Sequence, residues 1–259
     1  MIPNVRLPTG QAQQAGSGES EVVRKEVAMI VQASTVHTDP NDPAPQGYLV
    51  RPDDGKTYPG IVLIQEWWGI EPHIRELAQR LATSGFVVLV PDLYHGKIAT
   101  EPDEAQKMLM ATVQNMDKAI REIVLALDYL RNDPGVQPKK IGLMGFCMGG
   151  LLTYKTAERY PHLGAISPWY GGGYDPTPED VARVSAPVLA IYGEKDSAIP
   201  VAQVKKIEKL YKDAGKDIEV RIYPNAGHAF NNPDHGMYVA EAAKDAWARA
   251  VAFFKKHLA

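Results

Sequence analysis

Short apolar runs alternate with longer amphipathic segments along most of the chain, and this alternation restricts the fold more than any other feature. Apolar runs typical of strands occur at Ile61–Ile64, Phe86–Val90, Ile141–Met144, Ala165–Ile166, Val188–Tyr192 and Ile218–Tyr223. A period of about 3.6 residues indicates helices at Pro72–Ser84, Glu104–Arg131, Met148–Arg159, Val201–Ala214 and Val239–His257. This order predicts an α/β fold with a mostly parallel central sheet that helices flank on both faces.

The N-terminal part of the chain has a different pattern. Two strand-like runs, Val22–Gln32 and Gln46–Val50, have no helical segment between them, which indicates an antiparallel start to the sheet. Residues 1–21 lack apolar periodicity and are rich in Gly, Gln and Ser, so we expect a flexible extension, either native or left over from cloning. Residues 22–259 are predicted to form a single domain.

Composition excludes several classes of function. A net charge of −3 argues against a protein that binds nucleic acid or an anionic membrane. The single cysteine excludes an internal disulfide framework and any cysteine-rich zinc site. No apolar run approaches the roughly 18 residues of a membrane span, and no secretory signal is apparent. The expected compartment is therefore the cytoplasm.

The single cysteine lies in a motif that points to catalysis. Gly145-Phe146-Cys147-Met148-Gly149-Gly150 joins a predicted strand to a predicted helix. Gly-x-Cys-x-Gly in this context is the nucleophile-elbow pattern, with cysteine in the usual place of serine. A helix N-terminus also favours a thiolate. A lone cysteine is more often a buried structural residue, but the strand-to-helix context favours a nucleophile here.

Two further residues complete a possible triad. Asp196 follows the strand Val188–Tyr192, and His228 follows the strand Ile218–Tyr223. The chain order nucleophile, acid, histidine is that of the α/β-hydrolase fold. Taken singly, Asp196 could cap the next helix, Glu194 is a rival for the acid, and His228 could belong to a turn.

Four motifs resemble the dienelactone hydrolase family of α/β-hydrolases. They are Gln65–Gly69, Val90–Tyr94, Gly145–Gly150 and Ala226–Phe230, within a similarity that runs from about residue 27 to the C-terminus. The resemblance implies a cofactor-free Cys-His-Asp hydrolase, with no metal and no lid domain. It also implies that Glu66 contacts the resting thiol and helps to control its ionisation; a structural hydrogen-bond anchor is the alternative role.

The same fold logic predicts an oxyanion hole. Its backbone N–H groups are expected from Met148, next to the nucleophile, and from Trp67, which follows a strand. Substrate-binding walls are expected from aromatic residues at or just past strand ends, namely Trp67, Trp68, Tyr94, Trp169 and Tyr170. The segment Gly171–Ala186 is too short for a helical lid, which predicts a shallow, open site. Other histidines, His37, His73, His162, His235 and His257, show no metal-ligand spacing and are expected at the surface.

The chain departs from the family where the substrate carboxylate is held. Dienelactone hydrolases place one arginine after the Pro-Asp-Leu-Tyr segment and another four residues beyond the catalytic histidine. His95-Gly96 and Asn232 stand at those places here. Lys97 or His95 lacks the bidentate fork of arginine. Neutral esters or lactones are therefore the expected substrates.

Three functions remain open from the sequence. The first is a hydrolase of small neutral esters or lactones that works through an acyl-thioester and can also accept phosphotriesters. The second is a true dienelactone hydrolase (carboxymethylenebutenolidase). The third is a thiol redox sensor on a hydrolase scaffold, which would need neither an acid nor a histidine. The expected partner is a small-molecule substrate, not nucleic acid or membrane, and the expected state is a monomer or homodimer.

Overall fold

The strands form one eight-stranded sheet. A computed structural model describes residues 29–234 and 236–259. In chain order the strands are β1 (Val31–His37), β2 (Gln46–Pro52), β3 (Gly60–Ile64), β4 (Val87–Pro91), β5 (Ile141–Phe146), β6 (Leu163–Trp169), β7 (Val188–Gly193) and β8 (Ile218–Tyr223). Their order in the sheet is β1-β2-β4-β3-β5-β6-β7-β8. The pairs β1–β2 and β2–β4 are antiparallel, and all the others are parallel.

The helices cover this sheet. They are α1 (Pro72–Thr83), α2 (Pro102–Gln114), α3 (Met116–Asn132), α4 (Met148–Ala157), α5 (Pro178–Arg183), α6 (Val201–Asp213) and α7 (Ala240–Leu258). Every residue of β3, β4, β5 and β7 is buried. Because successive strand residues point to opposite faces, complete burial means that both faces are covered. The mostly parallel α/β sheet predicted from the sequence is thus confirmed.

Two predicted elements differ from the structure. The first strand is Val31–His37, later than the predicted Val22–Gln32, of which residues 22–28 lie outside the described residues. This edge strand is mostly exposed and polar, so it has no apolar run to mark it. The predicted helix Glu104–Arg131 is in fact two helices that meet at Asn115. The Asn115 amide donates a hydrogen bond to the carbonyl of Ala111 (2.8 Å), a local bond that competes with helix continuation.

The helices bear on two further predictions, the absence of a membrane span and the surface position of the histidines. None of those helices is long and apolar enough to cross a bilayer. His73, expected at the surface, is buried in α1 because the apolar face of that helix packs against the sheet. His235 lies outside the described residues, as do residues 1–21.

Candidate active site

Cys147 occupies a strained turn between β5 and α4. Its φ of 54° and ψ of −114° are unusual for a residue with a side chain. The neighbouring glycines are explained by close backbone approaches. A Cβ atom on Gly145 would lie 2.2 Å from the carbonyl oxygen of Gly149, and one on Gly149 would lie 2.6 Å from the carbonyl oxygen of Gln65. The half-buried Cys147 therefore sits at the N-terminus of α4, as the elbow motif predicts.

The loops after β7 and β8 bring the predicted acid and histidine to this turn. His228 Nδ1 lies 2.7 Å from Asp196 Oδ2, and Cys147 is close enough to His228 to raise the pKa of its ring. Asp196 Oδ1 accepts the backbone N–H groups of Ala198 (2.9 Å) and Ile199 (3.2 Å), which fixes the carboxylate. The structure thus brings together the three side chains predicted as a triad, with Asp196 and His228 hydrogen-bonded and Cys147 beside His228 in the lining of one cavity.

The rival acid Glu194 lies elsewhere. It is exposed and accepts the backbone N–H of Asn225 at 3.2 Å. The Asp196 carboxylate, in contrast, has no solvent-exposed surface. A buried carboxylate against the imidazole holds the ring orientation and stabilises its protonated form.

His228 has a strongly perturbed acidity. Burial acts to lower the pKa of His228, but the hydrogen bonds and charges of Asp196 and Cys147 outweigh it and raise this pKa to about 10. The ring is therefore an imidazolium at neutral pH. A positive ring beside the sulfur stabilises negative charge on the nucleophile.

Glu66 lies at the end of β3 in a buried polar cluster. Its carboxylate accepts hydrogen bonds from the hydroxyl of Tyr170 (3.3 Å) and from Nδ2 of Asn232 (3.1 Å). Asn232 Oδ1 accepts the backbone N–H of Asp234 (3.0 Å), so its NH₂ group is turned toward the carboxylate. Burial and the nearby Glu66 charge raise the pKa of Tyr170 well above its usual value, which keeps its hydroxyl a donor. Glu66 also lines the cavity beside Cys147.

Glu71 is a member of this region that the sequence reasoning did not identify. Burial, followed by the charges of Glu66 and Asp234, raises the pKa of Glu71 to about 7, although a hydrogen bond from Asn232 opposes the rise. Its Oε1 atom is buried and has no hydrogen-bond partner. The only signal in the sequence is a carboxylate directly before Pro72, and that position is typical of an ordinary helix start.

Tyr94 supports the predicted oxyanion-hole residues from behind. Its hydroxyl donates to the carbonyl oxygen of Trp67 (3.1 Å) and contacts Met148 Sδ at 3.5 Å. Met148 is the first residue of α4, a position whose N–H has no partner within the helix. Tyr94, predicted as a cavity wall, is thus nearly buried behind the wall.

A cavity of about 570 Å³ opens onto the triad. Its lining includes two of the three predicted tryptophans, Trp67 and Trp68, as well as aliphatic and small side chains. Apart from Glu66 and His228, none of its described residues is charged. Besides Tyr94, the predicted aromatic walls Trp169 and Tyr170 do not line it. Trp169 is completely buried and donates its indole N–H to Ser167 Oγ, while Tyr170 is buried between Glu66 and His228. A position at a strand end does not determine on which side of the protein backbone a side chain packs.

The surroundings of the cavity bear on two other predictions. The segment Gly171–Ala186 contains only the short helix α5 and no lid domain. A different helix, α2, borders the cavity with Leu109 and Val113. In the described part of the chain, no three His, Cys, Asp or Glu side chains cluster in a way that could hold a metal ion.

Comparison with known protein families gives a match over most of the chain. A model of the dienelactone hydrolase family matches residues 46–258. Protein usf of Aquifex pyrophilus is 37% identical over 219 residues, which cover 82% of this chain and 94% of that protein. A Yersinia pestis protein, provisionally named a carboxymethylenebutenolidase, is 33% identical over 224 residues, covering 81% of this chain and 83% of its own.

Solved structures agree with the sequence matches. A Klebsiella pneumoniae protein, provisionally described as a dienelactone hydrolase, superimposes with a TM-score of 0.77 at 28% identity, over 88% of this chain and 99% of that one. The protein P91 from metagenomic libraries, described as a dienelactone hydrolase-like promiscuous phosphotriesterase, gives a TM-score of 0.78 at 24% identity, over 90% and 100%. The second similarity concerns the fold alone.

Proposed function

The chain belongs to the dienelactone hydrolase family of α/β-hydrolases, and from this premise we propose that it hydrolyses small neutral esters or lactones with Cys147 as the nucleophile. One observation carries the proposal. His228 is hydrogen-bonded to the buried carboxylate of Asp196 and lines the same apolar cavity as Cys147, which is close enough to raise the pKa of His228. A thiol with an imidazolium partner oriented by a buried acid is the arrangement that acyl transfer requires.

In the acylation step, the Cys147 thiolate attacks the carbonyl carbon of the substrate. The electron pair of the C=O bond moves onto oxygen, where the backbone N–H groups of Trp67 and Met148 donate hydrogen bonds. The tetrahedral intermediate then expels the leaving oxygen, which takes a proton from His228. The products are the alcohol, or the ring-opened end of a lactone, and an acyl-thioester on Cys147.

In the deacylation step, the neutral His228 removes a proton from water. The resulting hydroxide attacks the thioester carbon, and a second tetrahedral intermediate forms in the same oxyanion hole. The C–S bond breaks, the acid leaves, and the thiolate–imidazolium pair is restored. The Asp196 carboxylate stabilises the imidazolium in both steps but does not itself take the proton.

Glu66 has an auxiliary role in this proposal. Its carboxylate lines the cavity together with Cys147 and is held by Tyr170 and Asn232. A fixed negative charge near the sulfur disfavours the thiolate until substrate binding changes the surroundings. Replacement by glutamine would therefore change the pH dependence of acylation.

The electrostatics of the cavity favour neutral substrates. Its described lining contains the acidic Glu66 and, apart from the catalytic His228, no cationic side chain, so the carboxylate of a dienelactone would meet a like charge without a lysine or arginine to hold it. The alternative function is true dienelactone hydrolysis. The name of one relative supports it, because the Yersinia pestis protein is provisionally named a carboxymethylenebutenolidase. The two substrates can be compared directly.

A phosphotriesterase side activity is a second candidate. The P91 protein is described as a promiscuous phosphotriesterase and shares this fold. A phosphotriester is also neutral, and its P=O oxygen can accept the same two backbone N–H groups. Attack by the Cys147 sulfur would form a P–S bond and release one alcohol, with the proton supplied by His228.

The test is the hydrolysis of p-nitrophenyl butyrate by the wild type and by Cys147→Ala, with a dienelactone and a phosphotriester as competing substrates. We expect the neutral ester to be turned over, the dienelactone to be poor, and the alanine variant to be inactive. Mass spectrometry of the quenched protein should show a butyryl group on Cys147. Turnover that survives in Cys147→Ala would refute the thiol mechanism.

The same experiment separates the other two functions. Much faster turnover of the dienelactone would establish the family's own activity in place of the neutral esterase. No turnover of any substrate, together with rapid peroxide oxidation of Cys147, would support the redox sensor. An oxidised thiol is detected by the mass of the intact protein.

A further inference from the structure

Helix α2 borders the catalytic cavity but is hardly buried. Of its 13 residues only Ala105 is buried, and Met110 on its outer side is 47% exposed. Packing against the rest of the protein therefore fully buries few of the apolar side chains of this helix. Two of them, Leu109 and Val113, lie on the face that lines the cavity.

The spacing of these two residues creates a continuous apolar surface. Side chains four residues apart are neighbours on one face of a helix. Leu109 and Val113 are both half-buried and pack against the edge of the core, with their remaining surface directed into the cavity. A substrate group that covers this surface removes it from water and gains hydrophobic stabilisation.

Small side chains line another part of the cavity. Gly172, Gly173, Ala198 and Ala229 lie on the loops that follow β6, β7 and β8, near the triad. Small residues there leave space beside the sulfur. Where a substituent extends toward α2, the branched side chains of Leu109 and Val113 limit how far it can reach.

We propose that Leu109 and Val113 are specificity-determining residues that bind the apolar substituent of the substrate and limit its length. The inference rests on the proposed ester hydrolysis. It assigns the substrate class more narrowly, as esters with an uncharged alkyl or aryl substituent that packs against α2. The two residues contact the substrate but take no part in proton transfer.

The expected effect follows from hydrophobic transfer. Each methylene group moved from water into the cavity raises kcat/KM by up to about fourfold, until the chain meets the wall. In Leu109→Ala the wall recedes, so the ratio of kcat/KM for octanoate to that for butyrate should rise by about fivefold or more. In Leu109→Trp the same ratio should fall by a similar factor. Val113→Ala should act in the same direction as Leu109→Ala.

The experiment measures p-nitrophenyl esters from acetate to octanoate and a second series of butyrate esters with different alcohols. Met110→Ala is the matched control, because it shortens an exposed side chain of the same helix. Thermal melting of each variant checks that the fold is intact. A length profile shifted in either series, but unchanged in Met110→Ala, supports the proposal. Profiles of Leu109→Ala, Leu109→Trp and Val113→Ala that coincide with the wild type in both series overturn it.

A second readout does not depend on ester turnover. N-alkylmaleimides of increasing chain length add to the single cysteine of the chain, and the rate of this addition reports how well the alkyl group fits the cavity. If the wild type hydrolyses no ester but Leu109→Ala still changes the chain-length dependence of alkylation, the proposed function fails and the role of α2 stands. If ester turnover is normal and neither assay depends on α2, the role of α2 fails alone.

Discussion

Replacing Asp196 by asparagine isolates the effect of the buried charge on His228. The asparagine Oδ1 can still accept the backbone N–H groups of Ala198 and Ile199, so the loop keeps its anchors. The new NH₂ group, however, faces His228 Nδ1, where the carboxylate oxygen lay at 2.7 Å. Nδ1 must then accept a hydrogen bond, which places the remaining proton on Nε2 and leaves a neutral ring that cannot take a proton from the nucleophile or from water.

The size of the effect can be worked out from the pKa of His228. A rise of this pKa from 6.5 to about 10 stabilises the imidazolium relative to the imidazole. The corresponding net free energy is about 5 kcal/mol, which Asp196 and Cys147 provide together against the opposing effect of burial. Loss of the Asp196 contribution, about 3 kcal/mol for a short charged hydrogen bond, together with the wrong tautomer should lower kcat/KM about 10³-fold or more.

The assay is steady-state hydrolysis of p-nitrophenyl butyrate between pH 5 and about pH 10, with urea unfolding as the check on stability. Glu194→Gln is the matched control, because it removes one negative charge two residues before Asp196. The Glu194 side chain accepts a hydrogen bond from the backbone N–H of Asn225, outside the triad. It should stay within about twofold of the wild type. An Asp196→Asn variant that retains a tenth of wild-type activity, or a Glu194→Gln variant that loses most of it, would refute the assignment of the acid.

Three further predictions concern the surroundings of the triad. Gly149→Ala should lower the free energy of unfolding in urea by about 3 kcal/mol or more, because its Cβ would lie 2.6 Å from backbone oxygens, whereas Gly172→Ala, with no atom closer than 3.8 Å, should change it little. Tyr94→Phe should lower kcat about fivefold without unfolding the protein, because the hydrogen bond behind the oxyanion hole is lost. In the wild type, the raised pKa of Glu71 means that its contribution to stability is complete below about pH 4.5 and is lost as the pH rises through about 7. Glu71→Gln should therefore gain stability relative to the wild type between about pH 5 and about pH 8, which bracket the raised pKa. Equal differences in the free energy of unfolding in urea at the two pH values would contradict a raised pKa of Glu71.

The sequence predicted those features that local chemistry determines. The nucleophile turn could be found because Gly145 and Gly149 have a local cause. At both positions the backbone of nearby residues, or of one neighbouring strand, comes too close for a Cβ atom. Asp196 and His228 could be found because each directly follows a strand of a parallel sheet, and the carboxyl ends of such strands meet at one edge.

Other features depend on contacts between distant segments. Trp169 and Tyr170 follow the same positional rule, yet their rings turn into the core, where Ser167 and Glu66 provide polar partners. Glu71 owes its raised pKa first to burial and then to the charges of Glu66 and Asp234, the second of which is far away in the sequence. No periodicity or motif in a single chain reports such encounters.

The unequal burial of the helices has a consequence for how this protein can change over generations. Helix α4, behind the nucleophile, is buried at nine of its ten positions, whereas α2 is buried at one of thirteen. Most substitutions in a core destabilise a protein whose total stability is only about 5–15 kcal/mol, while exposed positions tolerate them. Mutations can therefore accumulate in α2 without unfolding the chain, and descendants could explore new substrates while inheriting the same reaction chemistry.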